Sequence, residues 1–157
     1  MKVIIIMGSK GDMEHSRKIC KVLEDFGVEY EMRIASAHKT PLKVLDIIRR
    51  NEEENVVFIT VAGRSNALSG FVDANTTKPV LACPPYSEKF GGADLFSSIR
   101  MPSGVAPMLV LEPEECALSA VKILALSSKE LEGKIKKYQE KLREKIEEED
   151  RNLRGEK

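Results

Sequence analysis

Short apolar runs alternate along this chain with stretches whose apolar positions recur every three or four residues. The runs 3–7, 56–62, 79–83 and 106–111 are nearly continuous in Val, Ile, Leu, Ala and Met. Strands covered by helices on both faces have this composition, because neither face meets water. The run 28–36 is different: Val28, Tyr30, Met32 and Ile34 alternate with Glu29, Glu31 and Arg33. A period of two with charge on one side predicts a strand near the edge of the sheet.

Helical patterns fill the intervals. Residues 12–26 carry Ile19, Val22, Leu23 and Phe26 at helical spacing, with Asp12 as N-cap and Gly27 as stop. Residues 41–50 open on Pro41, capped by Thr40, and bring Leu42, Val44, Leu45, Ile47 and Ile48 to one side. Residues 113–126 form a further helix. The alternation of strand and helix through short connections predicts a single α/β domain over 1–126, a three-layer αβα sandwich around one parallel sheet. An edge-like second strand fits the flavodoxin-like order 2-1-3-4-5. Beyond it, 127–157 changes character. Lys, Arg and Glu dominate, while Leu131, Ile135, Tyr138, Leu142 and Ile146 make a narrow apolar stripe. This extra C-terminal helix lies either on its own domain or on a neighbouring subunit; the narrow stripe and its place past the last strand favour the neighbour. The final NLRGEK is expected to fray.

Composition narrows the function. The 157 residues hold 25 Lys and Arg against 25 Asp and Glu, so no basic surface for nucleic acid is expected. No segment is long and apolar enough for a membrane span, and the N-terminal run lacks the extent of a secretory signal. A cytoplasmic protein is expected. Cys20, Cys83 and Cys116 stand far apart without a CxxC pair and read as small buried hydrophobes, not as metal ligands or a disulfide.

The loops expected at the carboxyl ends of the strands carry the chemistry, where open parallel sheets bind their ligands. They read Gly8-Ser9-Lys10-Gly11-Asp12, Ser36-Ala37-His38-Lys39-Thr40, Gly63-Arg64-Ser65-Asn66 and Pro84-Pro85-Tyr86-Ser87, the last leading to Gly91-Gly92. The first suits a phosphate at a helix N-terminus, though plain turn chemistry accounts for it equally well. Asp12 serves a ligand or only its helix, and Lys39 and Arg64 are either solvated or converge on an anion. Of the two histidines, His15 falls on a surface helix. His38 sits in a ligand-edge loop, which makes it the candidate acid–base group. Two histidines do not make a His-rich metal site.

The segments GSKGD, SAHKTP, AGRSNALSGFVDANTTKPVLACPP and SSIRMPSGVAP together resemble the PurE family of purine biosynthesis, from Val3 to about Leu131. One branch rearranges N5-carboxyaminoimidazole ribonucleotide to 4-carboxyaminoimidazole ribonucleotide (CAIR). It reads SAHRTP, and AGGAAHLPG after strand three. Here Lys39 stands at that arginine and Ala67 at that branch's second histidine. The chain therefore resembles the other branch, class II, the AIR carboxylases (carboxy-lyases), which make CAIR from 5-aminoimidazole ribonucleotide (AIR) and carbon dioxide. The family's first loop commonly reads GSxSD; Gly11 replaces its second serine. Part of the contact to phosphate or ribose would then fall to backbone N–H groups.

The resemblance implies a flavodoxin-like fold, a homo-oligomer (tetramer or octamer) and a C-terminal helix that reaches a neighbour. It implies no metal, biotin or nucleotide cofactor. By position, Ser9 and Asp12 would hold the phosphate and ribose of AIR. Ser36, Lys39, Gly63, Arg64 and Ser65 would line the rest, with His38 over the imidazole as proton-transfer group. Met101-Pro102-Ser103-Gly104 belongs to a helix-to-strand connection, on the opposite edge by regular winding. Two other readings stand beside this one. The mutase of the first branch is the alternative enzyme. A non-catalytic flavodoxin-like module, a receiver or flavin carrier, is the alternative class. A receiver would need an aspartate after strand three, where this chain has Ala62-Gly63-Arg64.

Overall fold

The computed structural model describes residues 1–155. Five parallel strands form one sheet in the order β2-β1-β3-β4-β5. They are β1 (Lys2–Met7), β2 (Glu29–Ile34), β3 (Val56–Val61), β4 (Val80–Ala82) and β5 (Met108–Leu109). Six helices accompany them: α1 (Met13–Phe26), α2 (Pro41–Arg49), α3 (Leu68–Asp73), α4 (Phe96–Ile99), α5 (Pro113–Ala125) and α6 (Lys129–Arg154).

The continuous apolar runs are explained by burial on both faces. In β1 and β3, Val3, Ile5, Met7, Val57, Ile59 and Val61 point into one layer, against Ile19, Leu23 and Phe26 of α1 and Cys116, Ala120 and Leu124 of α5. Ile4, Ile6, Val56 and Phe58 point the other way, against Val44, Ile47 and Ile48 of α2 and Leu68 and Val72 of α3. Each such side chain, fully removed from water, contributes about 1.5–3 kcal/mol. Strand β2 pairs on one side only and keeps intermediate exposure along most of its length, as its charged alternation predicts.

Gly27 ends α1 in the left-handed conformation expected of a stop, with φ of 68°. Two caps differ from expectation. Asp12 gives α1 no side-chain cap, because its carboxylate turns back to Ser9. Thr40 does not cap α2, because its hydroxyl accepts the Ser36 N–H at 2.9 Å. Strands β4 and β5 are shorter than the apolar runs around them. Prolines account for part of this: Pro84 and Pro85 follow β4 and Pro107 precedes β5, and none can donate to a ladder.

The first third of α6 joins the domain's own core. Leu131 and Ile135 are buried there, Phe26 and Tyr138 meet edge-to-face at 5.5 Å, and Lys134 Nζ donates to the Phe26 carbonyl at 2.9 Å. Further along, Leu142, Ile146 and Leu153 are exposed. The helix continues through Asn152–Arg154, Gly155 closes it in the left-handed conformation, and Glu156 and Lys157 lie outside the described residues. No helix among the described residues is long and apolar enough to cross a membrane.

Ile135→Ala is expected to cost about 2–4 kcal/mol in urea denaturation, because it empties a packed site. Glu148→Ala, at an exposed position of the same helix away from its apolar stripe, is expected to stay within about 0.5 kcal/mol. Equal losses at the two positions would contradict this division of α6.

Candidate active site

Strand register creates the site. Met7 pairs with Ile34 on one side and Val61 on the other, so β1, β2 and β3 end level. β4 is in step, with Thr60 opposite Ala82. The loops that follow therefore open side by side and enclose a cavity of about 610 Å³, within the range of small-molecule sites. Ser9, Asp12, Ser36, His38, Lys39, Gly63, Arg64 and Ser65 all line it. The structure thus gathers every residue proposed for the site from sequence. Pro85, Tyr86 and Ser87 join them from the loop after β4, which the sequence had already placed on this edge, and the structure adds Asp94 from beyond it.

The first loop is a self-contained turn. Ser9 Oγ accepts the Gly11 N–H at 3.2 Å, while Asp12 Oδ2 accepts the Ser9 N–H at 2.8 Å and the Ser9 hydroxyl at 3.1 Å. This reciprocal capping box fixes both side chains at the cavity wall. A Cβ on Gly8 would come within 3.3 Å of the Ala62 Cβ, a tight contact that would press the loops after β1 and β3 apart by a few tenths of an ångström. Part of the ligand contact was expected to fall to backbone N–H groups here, and most of those groups already have partners within the protein. Those of Gly8, Ser9, Gly11 and Asp12 are bonded to Val61 O, Asp12 Oδ2, Ser9 Oγ and Ser9 O.

The second loop is closed by Ser36 and Thr40. Besides the bond from Ser36 N–H to Thr40 Oγ1, the Thr40 N–H donates to Ser36 O at 2.8 Å and the Lys39 N–H to Ser36 Oγ at 3.3 Å. The tight turn leaves His38 and Lys39 exposed at the rim. The imidazole has no hydrogen-bond partner among the described residues, so both ring nitrogens are available to a ligand.

The third loop contains the only non-glycine residue with positive φ among those described, Arg64 at 59°. Its guanidinium lies 5.9 Å from the centre of the Phe90 ring, a cation–π contact. Its N–H donates to Asp94 Oδ2 at 3.2 Å. Asn66, buried, accepts the Ser69 N–H and so starts α3. That cap was a readable signal for the helix, which is too short to show a period. Asp94 left no comparable trace, because nothing local ties it to a loop thirty residues earlier.

His15 does not belong to this cavity. Its Nε2 lies 3.3 Å from Cys83 Sγ, on the inner side of α1. A hydrogen bond with Cys116 and burial push the Cys83 thiol up, only partly opposed by His15. Burial likewise raises the Cys20 thiol. All three cysteines are free and buried, and no group of three metal-binding side chains is assembled among the described residues.

A level row of loops at the carboxyl end of a doubly wound sheet, with one histidine, two cations and two carboxylates around a cavity, defines a small-molecule enzyme of flavodoxin-like architecture. The comparison with known proteins is specific: residues 2–145 match the family described as AIR carboxylase, and the chain belongs to that family. It is 64% identical over 154 residues to the phosphoribosylaminoimidazole carboxylase of Archaeoglobus fulgidus, covering 98% of this chain and 86% of that protein. The protein of the same name from Treponema denticola is 49% identical over 154 residues, covering 97% of both. The crystal structure of Treponema denticola PurE superposes with a TM-score of 0.93 at 50% identity, covering 96% of this chain and 97% of that one.

Ser9→Ala is expected to destabilise the protein by about 0.5–2 kcal/mol, the usual worth of such a cap. Urea denaturation measures it. A loss below a few tenths would mean that the turn is held by its glycines alone.

Proposed function

We propose that the protein carboxylates AIR at C4 with carbon dioxide to give CAIR, reversibly, in purine biosynthesis. The observation that carries this reading is the convergence of Ser9–Asp12, His38–Lys39 and Gly63–Ser65 on one cavity, in a chain of the AIR carboxylase family. The high identity to two proteins named phosphoribosylaminoimidazole carboxylase supports it.

The residues fit the chemistry. C4 of AIR is enamine-like, so its electron pair attacks carbon dioxide directly and a C–C bond forms. The new tetrahedral carbon still carries hydrogen. Neutral His38 takes that proton, the ring regains its aromaticity, and the protonated imidazole returns the proton in the reverse direction. Lys39 and Arg64 offset the charge of the new carboxylate, which develops only as the bond forms and so favours the transition state over the substrate. Ser9 and Asp12 hold the phosphate and ribose end, on the side of the cavity built by the first loop. Ser36, Gly63 and Ser65 shape the wall between, and the scheme calls on no metal or organic cofactor.

Carbon dioxide as the carboxyl donor is supported by the third loop. A mutase must free carbon dioxide from the exocyclic nitrogen and hold it for recapture. The second histidine of that branch is replaced here by Ala67, which is exposed and contributes no functional group. The reading extends to assembly. The exposed residues Leu142, Ile146 and Leu153 give the distal part of α6 an apolar stripe open to solvent in the single chain, suited to a neighbouring subunit of a homo-oligomer.

Three experiments test these points. His38→Asn keeps size and partial hydrogen bonding but cannot shuttle a proton, so kcat is expected to fall by about 10²–10⁴ with AIR binding retained. Activity within about threefold of wild type removes His38 from that role. Supplied in turn with AIR plus fresh carbon dioxide, AIR plus bicarbonate, and N5-carboxyaminoimidazole ribonucleotide, the enzyme is expected to start fastest on the first. Efficient use of the last, with AIR and carbon dioxide inert, replaces the reading with the mutase. Removing the distal part of α6 from Leu142 onward should lower the subunit number in light scattering, and an unchanged number assigns the stripe no role in assembly.

A further inference from the structure

Arg64 is held in a backbone conformation that favours glycine, and both side-chain hydrogen bonds to its backbone come from one short segment. Its φ of 59° lies in the left-handed region, where an L side chain is strained and persists only if its surroundings over-determine it. On one side the Arg64 N–H donates to the Asp94 carboxylate at 3.2 Å. On the other, Ser97 Oγ lies 3.1 Å from the Arg64 carbonyl and 2.7 Å from that of Asp94, its single proton serving one at a time. The same Ser97 oxygen accepts the Asn66 N–H at 2.9 Å, and Asn66 Nδ2 donates to Ser98 Oγ at 2.9 Å. The loop after β3 is thus clipped at residues 64 and 66 to the segment 94–98. None of the ion pairs among the described residues uses Arg64, whose guanidinium lies over the Phe90 ring beside the cavity.

We propose that Asp94 is a positioning residue. It fixes Arg64 in the left-handed conformation and thereby sets where the guanidinium meets the carboxylate formed on the substrate. The inference rests on the reading of Arg64 as a partner of that carboxylate. The physical argument concerns direction. Relaxation from φ of 59° to the right-handed well near about −63° would turn the peptide by roughly 120° and carry the Cβ to another side of the chain. The guanidinium would then leave the cavity wall, although its charge and its distance along the sequence would be unchanged. A carboxylate is the fitting acceptor for this purpose, because its bond to a backbone N–H is charge-assisted and strong enough to oppose local strain. Asp94 also packs behind the turn. A Cβ on Gly63 would lie 3.8 Å from its Oδ2 and 3.5 Å from Pro85, so the loop rests against this side chain where it enters the cavity.

The test is a double-mutant cycle with a structural readout. Asp94→Ala is expected to lower kcat by about ten- to a hundredfold, the scale of a misplaced contact group, with the KM for AIR within about threefold of wild type. Asp94→Asn keeps an acceptor oxygen and is expected to recover most of that loss. In an Arg64→Ala background the Asp94→Ala effect should vanish, because the two act as one unit. The crystal structure of Asp94→Ala should show Arg64 at negative φ. A full Asp94→Ala effect without Arg64, or Arg64 still near 59° in the Asp94→Ala protein, overturns the proposal. So does an Asp94→Asn protein in which the two part company, Arg64 keeping its positive φ while activity is lost or losing it while activity is kept, which keeps the test decisive should alanine prevent folding. Should the wild type fail to make CAIR, the functional reading falls by itself, and the Arg64 backbone in the variants still decides the role of Asp94.

Discussion

Burial of β1 and β3 on both faces is the constraint from which the rest follows. Their side chains alternate between two apolar layers, and any slip in register would exchange the layers and strand each set against the wrong helices. The register is therefore fixed, and with it the level at which the strands stop. Because Met7, Ile34 and Val61 end together, the loops beyond them cannot avoid each other. The active-site cavity is a consequence of this alignment. No element had to be added to the sheet to make it.

Within the cavity each loop is stabilised by bonds internal to itself or to one neighbour, which leaves the reactive groups unencumbered. Ser9 and Asp12 bind each other, and Ser36 and Thr40 close the turn under His38. Rigid turns with free side chains at their tips suit a reaction whose demands are placement and one proton transfer, since preorganised groups need not rearrange as charge develops. The left-handed Arg64 fits the same principle at greater conformational cost. Local strain is tolerated because the segment after β4 holds it in place.

The sheet was legible from sequence because two-sided burial writes itself as unbroken apolar runs, and an edge strand writes itself as alternation. The loops were legible because Gly, Ser, His, Lys and Arg collected after successive runs, and the family motifs fell on the same residues. The parts that escaped depend on partners distant in sequence. Thr40 was read as a helix cap from its place before Pro41, yet its hydroxyl closes the His38 turn instead. Gly11 was read as leaving part of the ligand contact to backbone N–H groups, and the sequence did not show that its own N–H would be taken by Ser9. Asp94 and Ser97 act on Arg64 and Asn66 about thirty residues away, and no periodicity or cap records such a pairing. In α6 the apolar stripe was visible, but not that its first part would join the domain's own core and its later part would not.

A crystal structure of the protein with AIR bound tests the account most directly. The phosphate should lie against Ser9 and Asp12, and an imidazole nitrogen of His38 should stand within about 3–3.5 Å of C4 or of the hydrogen it carries. AIR bound in the reverse sense, with its phosphate at His38 and its imidazole over the first loop, would contradict the assignment of every group in the cavity.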